Sequence, residues 1–180
     1  MTTKEIIALA AEHGAKAALE HLDKLQKQKQ SEITDRRLRN VKLLLRNYRM
    51  LKAHCENAVF EAECDESALD ILEDMMVGRD SSVIVDSIKR SAARTAVIVR
   101  HVDVMLGLFQ AYCANSTQED MRRWRVIEAL YIREDKRTVA EIAEAEGVVE
   151  RTVYKDVDVA AERLAALMFG IDGLDKKGTK

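Results

Sequence analysis

Not one proline interrupts the 180 residues of this chain, and only seven glycines do. Proline is the residue that most effectively ends a helix, and glycine is the next. With Ala, Leu, Glu, Lys and Arg dominating what remains, the chain is predicted to be all-α. A chain of this length buries roughly 68–70% of its unfolded surface on folding, enough for one domain or two small ones without a covalent staple. The 47% hydrophobic and 33% charged residues suit amphipathic helices. Cys55, Cys64 and Cys113 are odd in number and scattered, which points to reduced thiols in an intracellular protein and not to a disulfide framework. The opening "MTTKEIIALAAEHGAK" is broken by Glu5, Glu12 and His13, so it reads as neither a signal peptide nor a membrane span. A cytoplasmic location with no membrane partner is expected.

Apolar spacing divides the chain further. Ala8, Ala11, Ala15, Ala18, Leu22 and Leu25 alternate in steps of three and four, the seam of a closely packed helix or of a self-associating one. The pattern fades in "QKQKQSEITD", where a bend or a frayed end is expected. A second helix from about Asp35 to Glu61 places Leu38, Val41, Leu45, Tyr48 and Cys55 on one face. A short helix near 66–77 stops at "GRDSS", and a long one runs from about Val83 to Ala114. Asn115 closes it, and Ser116 with Glu119 reads as a capping box opening the next helix. The expected domains are therefore a helical, oligomerising or coiled-hairpin part over 1–115, a compact unit over 116–175, and a tail at 176–180.

The net charge of −2 hides a segregation that matters more than the total. Arg36, Arg37, Arg39, Lys42, Arg46, Arg49 and Lys52 form a run without an acid, whereas Glu61, Glu63, Asp65, Glu66, Asp70, Glu73 and Asp74 follow. Arg39, Lys42, Arg46 and Arg49 share one stripe of the helix. They read either as a solvated face, as auxiliary phosphate contacts, or as partners of the acidic segment.

The stretch "TVAEIAEAEGVVERTVYKDV" carries the functional signal. Thr138 and Glu141 make a capping box; Ile142 and Ala143 face inward, with alanine where a second helix must approach closely. Gly147, four residues on, can take a positive φ and turn the chain. Val148 plugs the turn, and Val153 and Val157 line the inner face of the next helix. That is the spacing of a DNA-binding helix-turn-helix. It would expose Glu150, Arg151, Tyr154, Lys155 and Asp158 to a major groove, with Thr152 near the phosphates. "RRWRVIEALYI" supplies a preceding helix whose Trp124, Ile127, Leu130 and Tyr131 read as core.

On these residues, 117–175 resemble the sigma-70 region-4-like domain of phage transcriptional regulators of the ArpU and RinA type. The matching stretches are "AEIAEAEGV", "ERTVYKDV", "AERLAALMFGIDGL" and "RRWRVIEALYI"; "RRLRNVKLLLRNYRMLKAHCENAVFE" is similar to a basic helix in some of these regulators. The resemblance implies sequence-specific binding of double-stranded DNA, control of phage genes, RNA polymerase as a further partner, and no enzymatic activity or cofactor. Two positions depart from the pattern: Glu146 stands where an apolar residue precedes the turn glycine, and Val149 replaces the serine that caps the recognition helix. A lost cap of this kind costs about 0.5–2 kcal/mol. Glu141, Glu144, Glu146, Glu150, Asp156 and Asp158 also offset the domain's basic residues. Tight binding is therefore expected to need a homodimer or the basic helix at 36–52.

His13, His21, His54 and His101 share no metal-ligand spacing with each other or with the cysteines, so no metal site is expected. No phosphate loop, nucleophile elbow or paired-carboxylate motif is present. Two other classes fit a helix-turn-helix joined to a helical region: a DNA-packaging protein similar to a phage terminase small subunit, and a non-catalytic helical assembly protein.

Overall fold

A computed structural model describes residues 3–56, 67–77 and 92–170. Their regular structure is entirely helical: α1 (Thr3–Glu56), α2 (Ala68–Val77), α3 (Ala92–Ala114), α4 (Gln118–Ile127), α5 (Val139–Glu146) and α6 (Glu150–Phe169). The all-α expectation is met. Parts of the sequence reading lie outside the described residues: the helix ends at 57–61 and 83–91, the "GRDSS" breaker, Cys64, most of the acidic run and the tail at 176–180.

The expected bend at "QKQKQSEITD" does not occur, because α1 passes through it unbroken. Loss of an apolar period is not loss of helix: Gln, Lys and Glu are nearly as good helix formers as Leu, and Thr34 Oγ1 satisfies itself on the Gln30 carbonyl at 3.0 Å. The compact units also divide at a different place from the sequence boundary near 116. They are Met1–Asp35 and Arg36–Lys180.

In the first unit Leu19, Leu22 and Leu25 are 64%, 57% and 45% exposed. In the second, residues on both sides of position 116 share one core. Leu44, Leu45 and Tyr48 of α1 join Ile71 and Met75 of α2, Ile98, Leu106 and Phe109 of α3, and Trp124, Ile127 and Leu164 of the later helices. Phe109 meets Trp124 edge to face, with ring centroids 6.2 Å apart, a contact that spans the expected boundary. Arg94–Ala114 of α3 is long and apolar enough to cross a membrane by composition alone. Its inner face is buried through Ile98, Val102, Leu106 and Phe109, while Val104, Leu108 and Tyr112 are exposed.

The start of α4 is shifted by one residue from the sequence reading. Thr117, not Ser116, is the cap: its side chain accepts from the Asp120 N–H. Ser116 Oγ instead donates to Asp120 Oδ2 at 2.5 Å, and Glu119 turns to Arg122 and Arg123. Asp120 is the reason. It is buried and also receives Arg123 and Arg163, so the helix start is set by a tertiary ion cluster.

Candidate nucleic-acid interface

The hairpin is built by local chemistry that the sequence displays. Thr138 Oγ1 accepts from the Glu141 N–H at 3.3 Å while the Glu141 carboxylate accepts the Thr138 N–H at 2.7 Å, closing a complete capping box. The Thr138 hydrogen bonds hold the Glu141 carboxyl below its ordinary value. α5 ends at Gly147 with φ 64° and ψ 35°, the left-handed region that glycine enters without steric cost. The Gly147 N–H reaches the Glu144 carbonyl at 3.2 Å and the Val148 N–H reaches Ala143 at 2.9 Å. These two bonds are the Schellman closure, and its apolar contact is made by Val148, which packs on the core. Ile142 and Ala143 are buried, and α5 packs on α6.

α6 then opens at Val149 with no side-chain cap. Its inner stripe of Val153, Val157, Ala160 and Leu164 is buried. Near the end of the helix Leu167 is 39% exposed, whereas Met168 beside it is buried. On the outer side Glu150, Arg151, Tyr154, Lys155 and Asp158 are all exposed, with Thr152 half-buried. The structure thus brings Arg151, Tyr154 and Lys155 together on the first two turns of α6.

Asp158 and four of the α1 cations have internal partners. Lys42 Nζ donates to Asp158 Oδ1 at 2.6 Å. Arg49 donates to the backbone carbonyls of Arg133 and Ala129, the second at 3.2 Å. Arg36 donates to the Met76 carbonyl and Arg37 stacks over Phe169, 5.9 Å from the ring centroid. Arg39 and Arg46 are exposed and engage no described residue.

The Glu146 departure has a structural reason. Arg125 grips it with both ends of its fork, Nε to Oε1 at 2.7 Å and Nη2 to Oε2 at 2.6 Å, which joins the end of α5 to α4. The Arg125 hydrogen bonds hold the Glu146 carboxyl below its usual range. Beside this pair lies a cavity of about 110 Å³ lined by Glu128, Arg133, Arg137 and Ile142 among others. Sequence reasoning also missed the role of Asp156, which it counted only among the acids that offset the domain's basic residues. Asp156 is buried and takes Arg122 Nε at 2.7 Å and Nη2 at 3.2 Å. A signal was available: position 156 lies three residues after Val153 and four before Ala160, on the inward stripe. The partner, 34 residues away, had none.

Among the described residues no three His, Cys, Asp or Glu side chains converge as a metal cage. His101 is partly buried, which lowers its pKa against a hydrogen bond to the Met168 backbone that raises it. Cys113 is a buried free thiol. No protein-family model, curated protein or solved structure matches the chain.

Proposed function

We propose that this protein is a sequence-specific DNA-binding transcriptional regulator that reads double-stranded DNA with α6. One observation carries the reading: Arg151, Tyr154 and Lys155 stand exposed on the first two turns of a helix that follows a capped α5 and a left-handed Gly147. Those turns are the part of a recognition helix that reaches base edges. The Arg151 fork suits the O6/N7 pair of guanine, Tyr154 suits a base or sugar, and Lys155 suits a phosphate. The resemblance to phage regulators of the ArpU and RinA type supports a phage or prophage setting, with RNA polymerase as a further partner and no catalysis.

The test is a binding titration of folded variants against selected and scrambled duplexes at two salt concentrations. Arg151→Ala is expected to cost about 1–3 kcal/mol on the preferred site and relax preference at one position. Lys155→Ala is expected to weaken all sequences alike and lower the salt slope by about one unit. Unchanged affinity and specificity in both variants would remove the reading.

A second reading, a DNA-packaging or helical assembly protein, is favoured by the exposed Leu19, Leu22 and Leu25. A stripe with alternating three and four spacing can pack on a second copy of itself. A dimer on a promoter-sized site is the outcome expected of a regulator; rings above a tetramer favour packaging.

A further inference from the structure

Phosphate attraction supplies most non-specific affinity for DNA, yet residues 139–169, which contain the whole hairpin, hold seven acids and only three bases. The hairpin by itself repels the ligand proposed for it. Part of that excess is neutralised from other helices: Arg125 holds Glu146, Arg122 holds Asp156, and Lys42 of α1 holds Asp158.

The last of these pairs also fixes where α1 lies. Lys42 is attached to the third turn of α6 through Asp158, and Arg49 is attached to the carbonyls of Ala129 and Arg133, where α4 ends. Arg37, over Phe169, marks the far end of the same crossing. Arg46 lies between the Lys42 and Arg49 anchors, about one turn from each. Seven residues separate Arg39 from Arg46, so at 100° per residue their side chains leave the helix within about 20° of each other. That direction is opposite the buried stripe of Val41, Leu44, Leu45 and Tyr48. Their separation along the axis is about 10 Å, a span over which two long arginine side chains can each reach a different phosphate of one strand.

We propose that α1 is a built part of the duplex-binding surface, with Arg39 and Arg46 contacting backbone phosphates beside the groove that the first two turns of α6 enter. Lys42 and Arg49 are positioning residues: they hold α1 against the hairpin, and Lys42 neutralises Asp158, a carboxylate on the exposed side of α6. The inference rests on the DNA-binding reading of α6 and adds a second contact element to it.

The experiment uses the full chain and a fluorescently labelled mixed-sequence duplex of about 30 base pairs, with affinity measured over a series of salt concentrations. Arg39→Ala and Arg46→Ala are each expected to lower the log–log salt slope by about one unit, and the double variant by about two. Sequence preference stays as in the unmodified protein, and Arg46→Lys restores the slope. Arg100→Ala, at an exposed site on α3, leaves the slope unchanged. If both α1 variants keep the original slope while Arg151→Ala still alters preference, the role of α1 is overturned and the α6 reading stands. A gain in affinity would mark α1 as an obstruction, with the same consequence. Absence of salt-dependent binding by the unmodified protein overturns both.

Discussion

Two stretches of one helix have opposite fates. Between Lys42 and Lys52, α1 buries Leu44, Leu45 and Leu51 to 1–2% exposure, whereas Leu19, Leu22 and Leu25 earlier in the same helix are about half exposed. Both stretches have leucine at helical spacing and both are helical. The difference lies in the partner. Around Leu45 the chain supplies α2, α3 and α6, and polar side chains add specific ties through Asn40 to the Met75 carbonyl at 3.0 Å and Tyr48 to Asp103. Periodicity therefore predicts that a face is apolar; it does not predict what covers it.

The sharpest way to break this comparison is to truncate one leucine in each stretch. Leu45→Ala is expected to destabilise the chain by about 2–5 kcal/mol in denaturant unfolding, as buried leucines do. Leu22→Ala is expected to shift a dilute sample by less than about 0.5 kcal/mol. Equal losses would mean that the exposed stripe is packed within the chain after all. Self-association sharpens the same contrast. The unmodified protein is expected to sediment as an oligomer at tens of micromolar, and Ala18→Glu with Leu22→Glu as a smaller species with unfolding of the second unit unchanged. A monomer before mutation defeats that expectation.

Acid separates the second unit from a helix held by apolar contact alone. Burial raises the Asp120 pKa, but hydrogen bonds from Ser116 and Arg123 and the nearby Arg163 outweigh it and hold the carboxyl down to about 2. A depressed carboxyl contributes stability that is present above its unfolded pKa and lost as pH falls through the folded one. Acid unfolding followed by Trp124 fluorescence should therefore show a contribution lost between about pH 4 and pH 2. Asp120→Asn should lower stability at neutral pH and flatten that decline; an unchanged acid profile would show that the cluster contributes nothing net. The smallest effect is expected at the uncapped start of α6. Val149→Ser supplies the missing acceptor and should gain up to about 1 kcal/mol, provided that the loss of partly exposed apolar surface is small.

What was legible in the sequence was local. The Thr138–Glu141 box, the Gly147 turn and the inward Val153–Val157 stripe each depend on residues within four or five positions of one another, so composition and spacing disclose them. The α4 cap missed by one residue because Ser116 and Thr117 both carry hydroxyls and both have an acid three residues on. The buried ion cluster at Asp120 decides between them, and no local pattern reports it. Lys42 and Asp158 are 116 residues apart. Their pairing reverses the reading of both: an apparent groove-facing acid and an apparent free cation neutralise each other. Arg39 and Arg46, on the same stripe, are distinguished from Lys42 and Arg49 only by the fold.

The end of α4 has a consequence for chain length. At Glu128–Ile132 the helix widens, and the Arg133 N–H bonds five residues back to the Glu128 carbonyl at 2.9 Å. A turn of this kind holds one residue more than an ordinary turn, and Arg49 occupies carbonyls at both of its ends. It is a place where the chain already carries the geometry of a single-residue insertion. Deleting one residue there can relax the turn to regular helix and leave α5 and α6 intact behind it. The same deletion inside α6 would rotate every following side chain by about 100°, moving Val157 and Leu164 off the core. Length is negotiable just before the hairpin and fixed within it.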